Sequence, residues 1–118
     1  KALHKLNVLI VEDGNDIREV MSTTFNKISN HVWDAVDGQE GLSKFKEMRP
    51  DIIITDLRMP NMNGNEMIEK IKEMSPNTPI IVVSGHGRII KATPKADVVM
   101  EIPIKFDKLV NYVYDLTR

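Results

Sequence analysis

Residues 51–64 read DIIITDLRMPNMNG, and this stretch decides the fold. Ile52, Ile53 and Ile54 place branched apolar side chains on both parities of a strand, so the strand is covered on both faces, as in a parallel sheet. Asp56 ends the run, and the Pro, Asn and Gly content of residues 57–64 makes a loop. A doubly buried strand that ends in a carboxylate belongs to an α/β sheet, whose ligand sites form at the carboxyl ends of its strands.

The same grammar repeats on either side. Upstream, Leu6, Val8, Leu9, Ile10 and Val11 form an apolar run that ends in Glu12 and Asp13. Gly14, Asn15 and Asp16 make a turn and cap, after which Ile17, Val20, Met21, Phe25 and Ile28 recur at helical spacing. Residues 31–36 lean towards strand, Asp37 and Gly38 signal a turn, and Leu42, Phe45 and Met48 mark a helix that stops before Pro50. Downstream, Met67, Ile68, Ile71 and Met74 mark a third helix. Residues 80–83 form a strand ending at Ser84, and residues 98–102 another. Phe106, Leu109, Val110 and Val113 stripe a last helix. Between 85 and 95, two glycines and Pro94 leave room for two helical turns at most. The expectation is a doubly wound parallel sheet of five strands with about five helices on both faces, the fourth helix shortened.

The chain has 118 residues, one domain's worth, and at 42% hydrophobic and 28% charged it is globular rather than disordered. It contains no cysteine, which excludes disulfides and thiolate metal sites and suits a reducing cytoplasm. With 16 basic and 17 acidic residues there is no basic excess to suggest nucleic-acid binding. No apolar run suggests a membrane span, and the N-terminus lacks the apolar core of a signal peptide. The chain does not begin with Met, which raises the expectation that residues 1–118 are one domain excised from a longer protein.

Glu12, Asp13, Asp56 and Ser84 all stand at strand ends. With strand order 2-1-3-4-5, the first and third strands are neighbours and the acidic pair faces Asp56. Three converging carboxylates repel one another unless a cation joins them, and oxygen ligands suit Mg2+ or Mn2+. An aspartate beside such a cation can attack a phosphoryl donor and form an acyl phosphate, with the Ser84 hydroxyl in reach of a phosphoryl oxygen.

The runs VLIVEDGNDIREVM (8–21), DIIITDLRMPNMNG (51–64) and PIIVVSGHG (79–87) resemble the receiver domains of bacterial response regulators over essentially the whole chain. The resemblance implies a flavodoxin-like receiver fold. It also implies Asp56 as phosphoacceptor, Asp13 as a direct Mg2+ ligand, Glu12 acting through water, and the Arg58 carbonyl completing the set. Ser84 matches the family's switch hydroxyl, and Pro60 and Gly64 its loop residues. The implied partners are a histidine kinase or phosphotransfer protein and an output domain or protein, in the cytoplasm, with no nucleic acid or membrane contacted directly. The domain would catalyse only its own phosphorylation and dephosphorylation.

Three departures stand beside this. Ile102 precedes Pro103 where the family carries a lysine, and Lys105, two residues past that proline, is the nearby substitute. Val99 replaces an aromatic switch residue, and the fourth-helix region is about one turn short. These departures favour an alternative, a phosphorylation-independent pseudo-receiver that signals by binding. An aspartate-nucleophile phosphatase is disfavoured, because Arg58 stands where a second Asp would be needed. His86 reads as a surface histidine, Met59, Met62 and Met67 as loop anchors and core, and Trp33 as packing.

Overall fold

Five strands form where apolar runs meet turn signals: β1 (Asn7–Val11), β2 (His31–Ala35), β3 (Ile52–Thr55), β4 (Ile80–Ser84) and β5 (Val98–Glu101). The structure, a computed structural model, describes residues 2–85 and 91–118. The strands are parallel in the order β2-β1-β3-β4-β5. The doubly wound sheet expected from the sequence is the fold observed.

Alternation along each strand feeds two cores. Leu9, Val11, Ile53 and Val82 face the layer made by α2 (Gly38–Met48) and α3 (Gly64–Met74), around Phe45, Met67 and Ile68. Val8, Ile10, Ile54 and Val83 face the opposite layer, α1 (Asn15–Ile28) and α4 (Phe106–Thr117), around Phe25, Leu109 and Val113. Phe25 and Phe45 are essentially fully buried, and each contributes roughly 1.5–3 kcal/mol by leaving water. The edge strands β2 and β5 are the exposed ones, each covered less completely than the central three.

Helix starts are set by polar side chains. The Asp37 carboxylate accepts the Glu40 N–H at 2.8 Å to cap α2, and Asn63 accepts the Glu66 N–H at 2.9 Å to cap α3. Arg49 ends α2 in the left-handed region at φ 50°, just before Pro50. The start of α1 differs from expectation: Asn15 and Asp16 are already helical, Gly14 is the N-cap, and no side chain caps it. The Gly14 N–H is instead taken by the Glu12 carboxylate at 2.9 Å, so the strand-end acid does the turn's work.

Two further expectations need adjustment. Among the described residues there are four α-helices, plus an unforeseen 3-10 turn at Leu3–Lys5. The short helix expected over 85–95 falls largely on residues 86–90, outside the described residues, as does His86, and residues 91–97 are irregular chain with a turn and a bend. β5 closes at Glu101, leaving Ile102 in the connection to α4.

Candidate metal centre

β1 and β3 run side by side in register, Val8 with Ile52 through Val11 with Thr55. The next residue on each strand is therefore Glu12 on one and Asp56 on the other, and the Asp56 N–H donates to the Val11 carbonyl at 3.0 Å. From β1 the chain crosses to β2 on one side, while β3 lies on the other, which opens a crevice at these strand ends. Into it Glu12, Asp13 and Asp56 each bring a carboxylate oxygen, and the three lie within 4.8 Å of one another. Glu12 is buried, Asp56 half-buried and Asp13 exposed.

This crowding has an electrostatic cost. Burial pushes the Glu12 carboxyl up to about 7; the Gly14 N–H opposes the rise, while Asp56 and Asp13 add to it. A cation at the centre would relieve that cost, and an all-carboxylate donor set with one exposed side suits a hard, partly hydrated ion such as Mg2+. The residues present therefore fit a Mg2+ ion, with Mn2+ as an alternative of the same chemistry.

The Asp56 carboxylate is aimed by its own loop. Its Oδ1 accepts the Leu57 N–H at 2.7 Å, and the Thr55 hydroxyl donates to the Asp56 carbonyl at 2.7 Å. The loop is tied down at both ends. Gly64 N–H donates to the Leu57 carbonyl at 2.7 Å, and Gly38 N–H to the Met62 carbonyl at 3.0 Å. Asn61 adopts φ 66° and donates to Asp37 at 2.6 Å. Arg58, whose carbonyl the resemblance offers to the metal, is exposed on this loop.

Ser84 ends β4, buried, and its carbonyl accepts the Ile102 N–H at 2.9 Å. Ile102, half-buried, packs against the core layer of α1 and α4, as do Ile17, Ile104 and Phe106. Lys105 lines a groove with Val99, Glu101, Pro103, Lys108 and Tyr112, a groove that none of the three acidic residues lines. Val99 is 54% exposed.

Two residues of this site were not singled out from the sequence. Arg18 reaches back from α1 to the Glu12 carbonyl, and Asp37, read only as a turn former, anchors the loop after Asp56. For Arg18 a signal existed: one turn into a helix, a side chain points back towards the helix start.

Comparison with known proteins agrees with this geometry. The family model described as the response regulator receiver domain matches residues 8–113. The chemotaxis protein CheY of Thermotoga maritima is 39% identical over 82 residues, covering 69% of this chain and 68% of that protein. A protein-glutamate methylesterase/protein-glutamine glutaminase of Koribacter versatilis is 40% identical over 83 residues, but there the match spans only 23% of the relative's length. Among solved structures, the response regulator protein TrrA of Thermotoga maritima, in complex with Mg(2+)-BeF, superposes with a TM-score of 0.84 at 27% identity, covering 94% of this chain and 98% of that one. Sheet order, acidic crevice and a family match over nearly the full length converge: the chain belongs to the response regulator receiver domain family of two-component systems.

Proposed function

We propose that residues 1–118 are a phosphoacceptor receiver domain in which Asp56 takes a phosphoryl group from a histidine kinase or phosphotransfer protein and thereby alters partner binding. The observation that carries this is the convergence of three carboxylate oxygens within 4.8 Å at adjacent strand ends. Glu12, Asp13, Asp56 and the Arg58 carbonyl would hold Mg2+, whose charge offsets that of the carboxylates and of the phosphoryl oxygens. An Asp56 oxygen bonds to phosphorus as the bond from phosphorus to the donor nitrogen breaks, and the donor imidazole takes a proton from solvent. Leu57 N–H fixes the rotation of the attacking carboxylate, and Ser84 is the hydroxyl proposed to meet the phosphoryl group.

The domain is a signalling module rather than an enzyme that turns over a metabolite. No helix among the described residues is long and apolar enough to cross a membrane, and the proposed setting is the cytoplasm, without direct contact to membrane or nucleic acid. The output partner is a domain or protein that reads the changed surface.

A pseudo-receiver that works without phosphorylation is the second reading, favoured by one observation. Ile102 is committed to apolar packing where the family's phosphoryl-gripping lysine would stand. Treatment with a small phosphodonor and Mg2+, read by intact mass, separates the two.

A further inference from the structure

Arg18 sits on the second turn of α1, yet its guanidinium belongs to the end of β1. Nη1 donates to the Glu12 carbonyl at 2.9 Å and reaches the Asp13 carbonyl at 3.5 Å. Nη2 donates to the Asn15 side-chain oxygen at 2.6 Å, and Nε lies 3.7 Å from the Asp34 carboxylate on the neighbouring chain segment of β2. Its side chain is 16% exposed, against 50% for Asp34. One planar group therefore ties together the strand end, the turn, the helix start and β2. The residues whose carbonyls it holds, Glu12 and Asp13, are the two whose side chains enter the carboxylate cluster.

The partners of this guanidinium offset an unfavourable placement. A cation near a helix N-terminus faces the positive end of the helix dipole. α1 also has no side-chain cap, so the turn from Val11 to Asn15 depends on the Glu12 carboxylate bonded to Gly14 and on the Arg18 fork. A cation that engaged the Glu12 carboxylate would compete with the Gly14 N–H for it, whereas the Arg18 contacts to the backbone would not be affected. The guanidinium meets the backbone carbonyls of Glu12 and Asp13, so it works through the backbone it holds.

We infer that Arg18 is the positioning residue of the metal centre: it fixes the backbone of Glu12 and Asp13 so that both carboxylates are aimed before the cation arrives. The inference rests on the phosphoacceptor reading above. It is geometric, so charge alone does not replace it. Lysine supplies one point charge, whereas arginine supplies a rigid fork that spans two acceptors.

The test uses Arg18→Met, Arg18→Lys and, as a control, Asp34→Asn, with Mg2+ titrated against amide NMR shifts. Outer-shell partners of metal ligands are worth roughly 10–100-fold in affinity. Arg18→Met is expected to weaken Mg2+ binding about tenfold, Arg18→Lys to recover only part of it, and Asp34→Asn to stay within about twofold. In the metal-free protein, the Gly14 amide exchanges faster in Arg18→Met, while the amides of β3 and β4 keep their protection, a readout that general destabilisation would not give. At saturating Mg2+ the phosphorylation rate returns towards that of the parent. Unchanged Mg2+ affinity in Arg18→Met, or full recovery by Arg18→Lys, overturns the positioning role. If Arg18→Met does not fold, Arg18→Lys carries the same comparison. A parent protein that shows no Mg2+ response overturns the phosphoacceptor reading, and the positioning role with it.

Discussion

Gly64 and Asp56 touch through their backbones: a Cβ on Gly64 would lie 2.2 Å from the Asp56 carbonyl oxygen and 2.8 Å from the Leu57 Cα. The first residue of α3 is thus pressed against the peptide that carries the proposed phosphoacceptor. Any side chain at this position must push backbone, which cannot step aside as the tip of a flexible side chain can. Gly64→Ala is expected to cost about 1–3 kcal/mol of stability, the usual range for overpacking, and to weaken Mg2+ binding by displacing Asp56. Urea unfolding and Mg2+ titration measure the two effects. An alanine variant of parent stability would contradict the contact.

Asp37 carries a pH signature. Its carboxyl is held below the usual carboxylate range, first by the Glu40 N–H and then by the Asn61 amide. A depressed folded-state value means the contribution is present above the unfolded value, near 4, and is lost as pH falls through the lower folded value. Asp37→Ala is therefore expected to lose about 1–2 kcal/mol at pH 7. The gap to the parent narrows as pH drops below about 4. Thermal unfolding of both proteins across pH 2–7 tests this. A gap that widens on acidification would sink it.

Glu12 is crowded by Asp13 and Asp56 and buried besides. Glu12→Gln keeps an oxygen for the Gly14 N–H but removes one charge from the cluster. Without metal, this variant is expected to be more stable than the parent at pH 8 by about 1 kcal/mol, because a buried, repelled carboxylate is gone. With Mg2+ the order reverses in sensitivity, since the parent gains more from the ion. Melting temperatures with Mg2+ and with chelator give both comparisons. A Glu12→Gln protein that gains as much from Mg2+ as the parent would remove Glu12 from the metal set.

Ile102 tests how the domain reports phosphorylation. A lysine there can lay its stem along the apolar layer of Ile17 and Phe106 and carry its ammonium towards water or the site. If Ile102 occupies the lysine position, Ile102→Lys enlarges the phosphodonor-induced NMR shifts around Ser84 and Val99, through a charge-assisted contact worth on the order of 1.5–3 kcal/mol. Lys105→Ala leaves the phosphodonor-induced change at Ser84 and Val99 unchanged, although Lys105 and Val99 line one groove. If Lys105→Ala erases the response, Lys105 is the true partner.

The sheet was legible because its three central strands are apolar on both parities, a pattern that surface strands do not keep. The acidic crevice was legible because parallel order places successive strand ends together, so Glu12 and Asp56 meet without further information. What stayed hidden are contacts that depend on loop geometry. Asn15 and Asp16 looked like caps by residue type, yet the Glu12 carboxylate satisfies the turn, which residue preference cannot foresee. Arg18 drew no notice in the sequence, because its role depends on the close return of α1 over the end of β1, which gives it carbonyls to hold. Asn61, 24 residues from Asp37 in sequence, reaches it only because α2 and the loop after β3 share one edge.

The most direct measurement of the central claim is intact mass after incubation with a small phosphodonor and Mg2+, in the parent and in Asp56→Asn. The amide keeps the shape of the side chain but cannot form the acyl phosphate. The account predicts that the parent gains the mass of a single phosphoryl group, that chelator prevents the gain, and that Asp56→Asn gains none. A parent that gains no mass under these conditions, or an Asp56→Asn variant that gains the same mass, would contradict it.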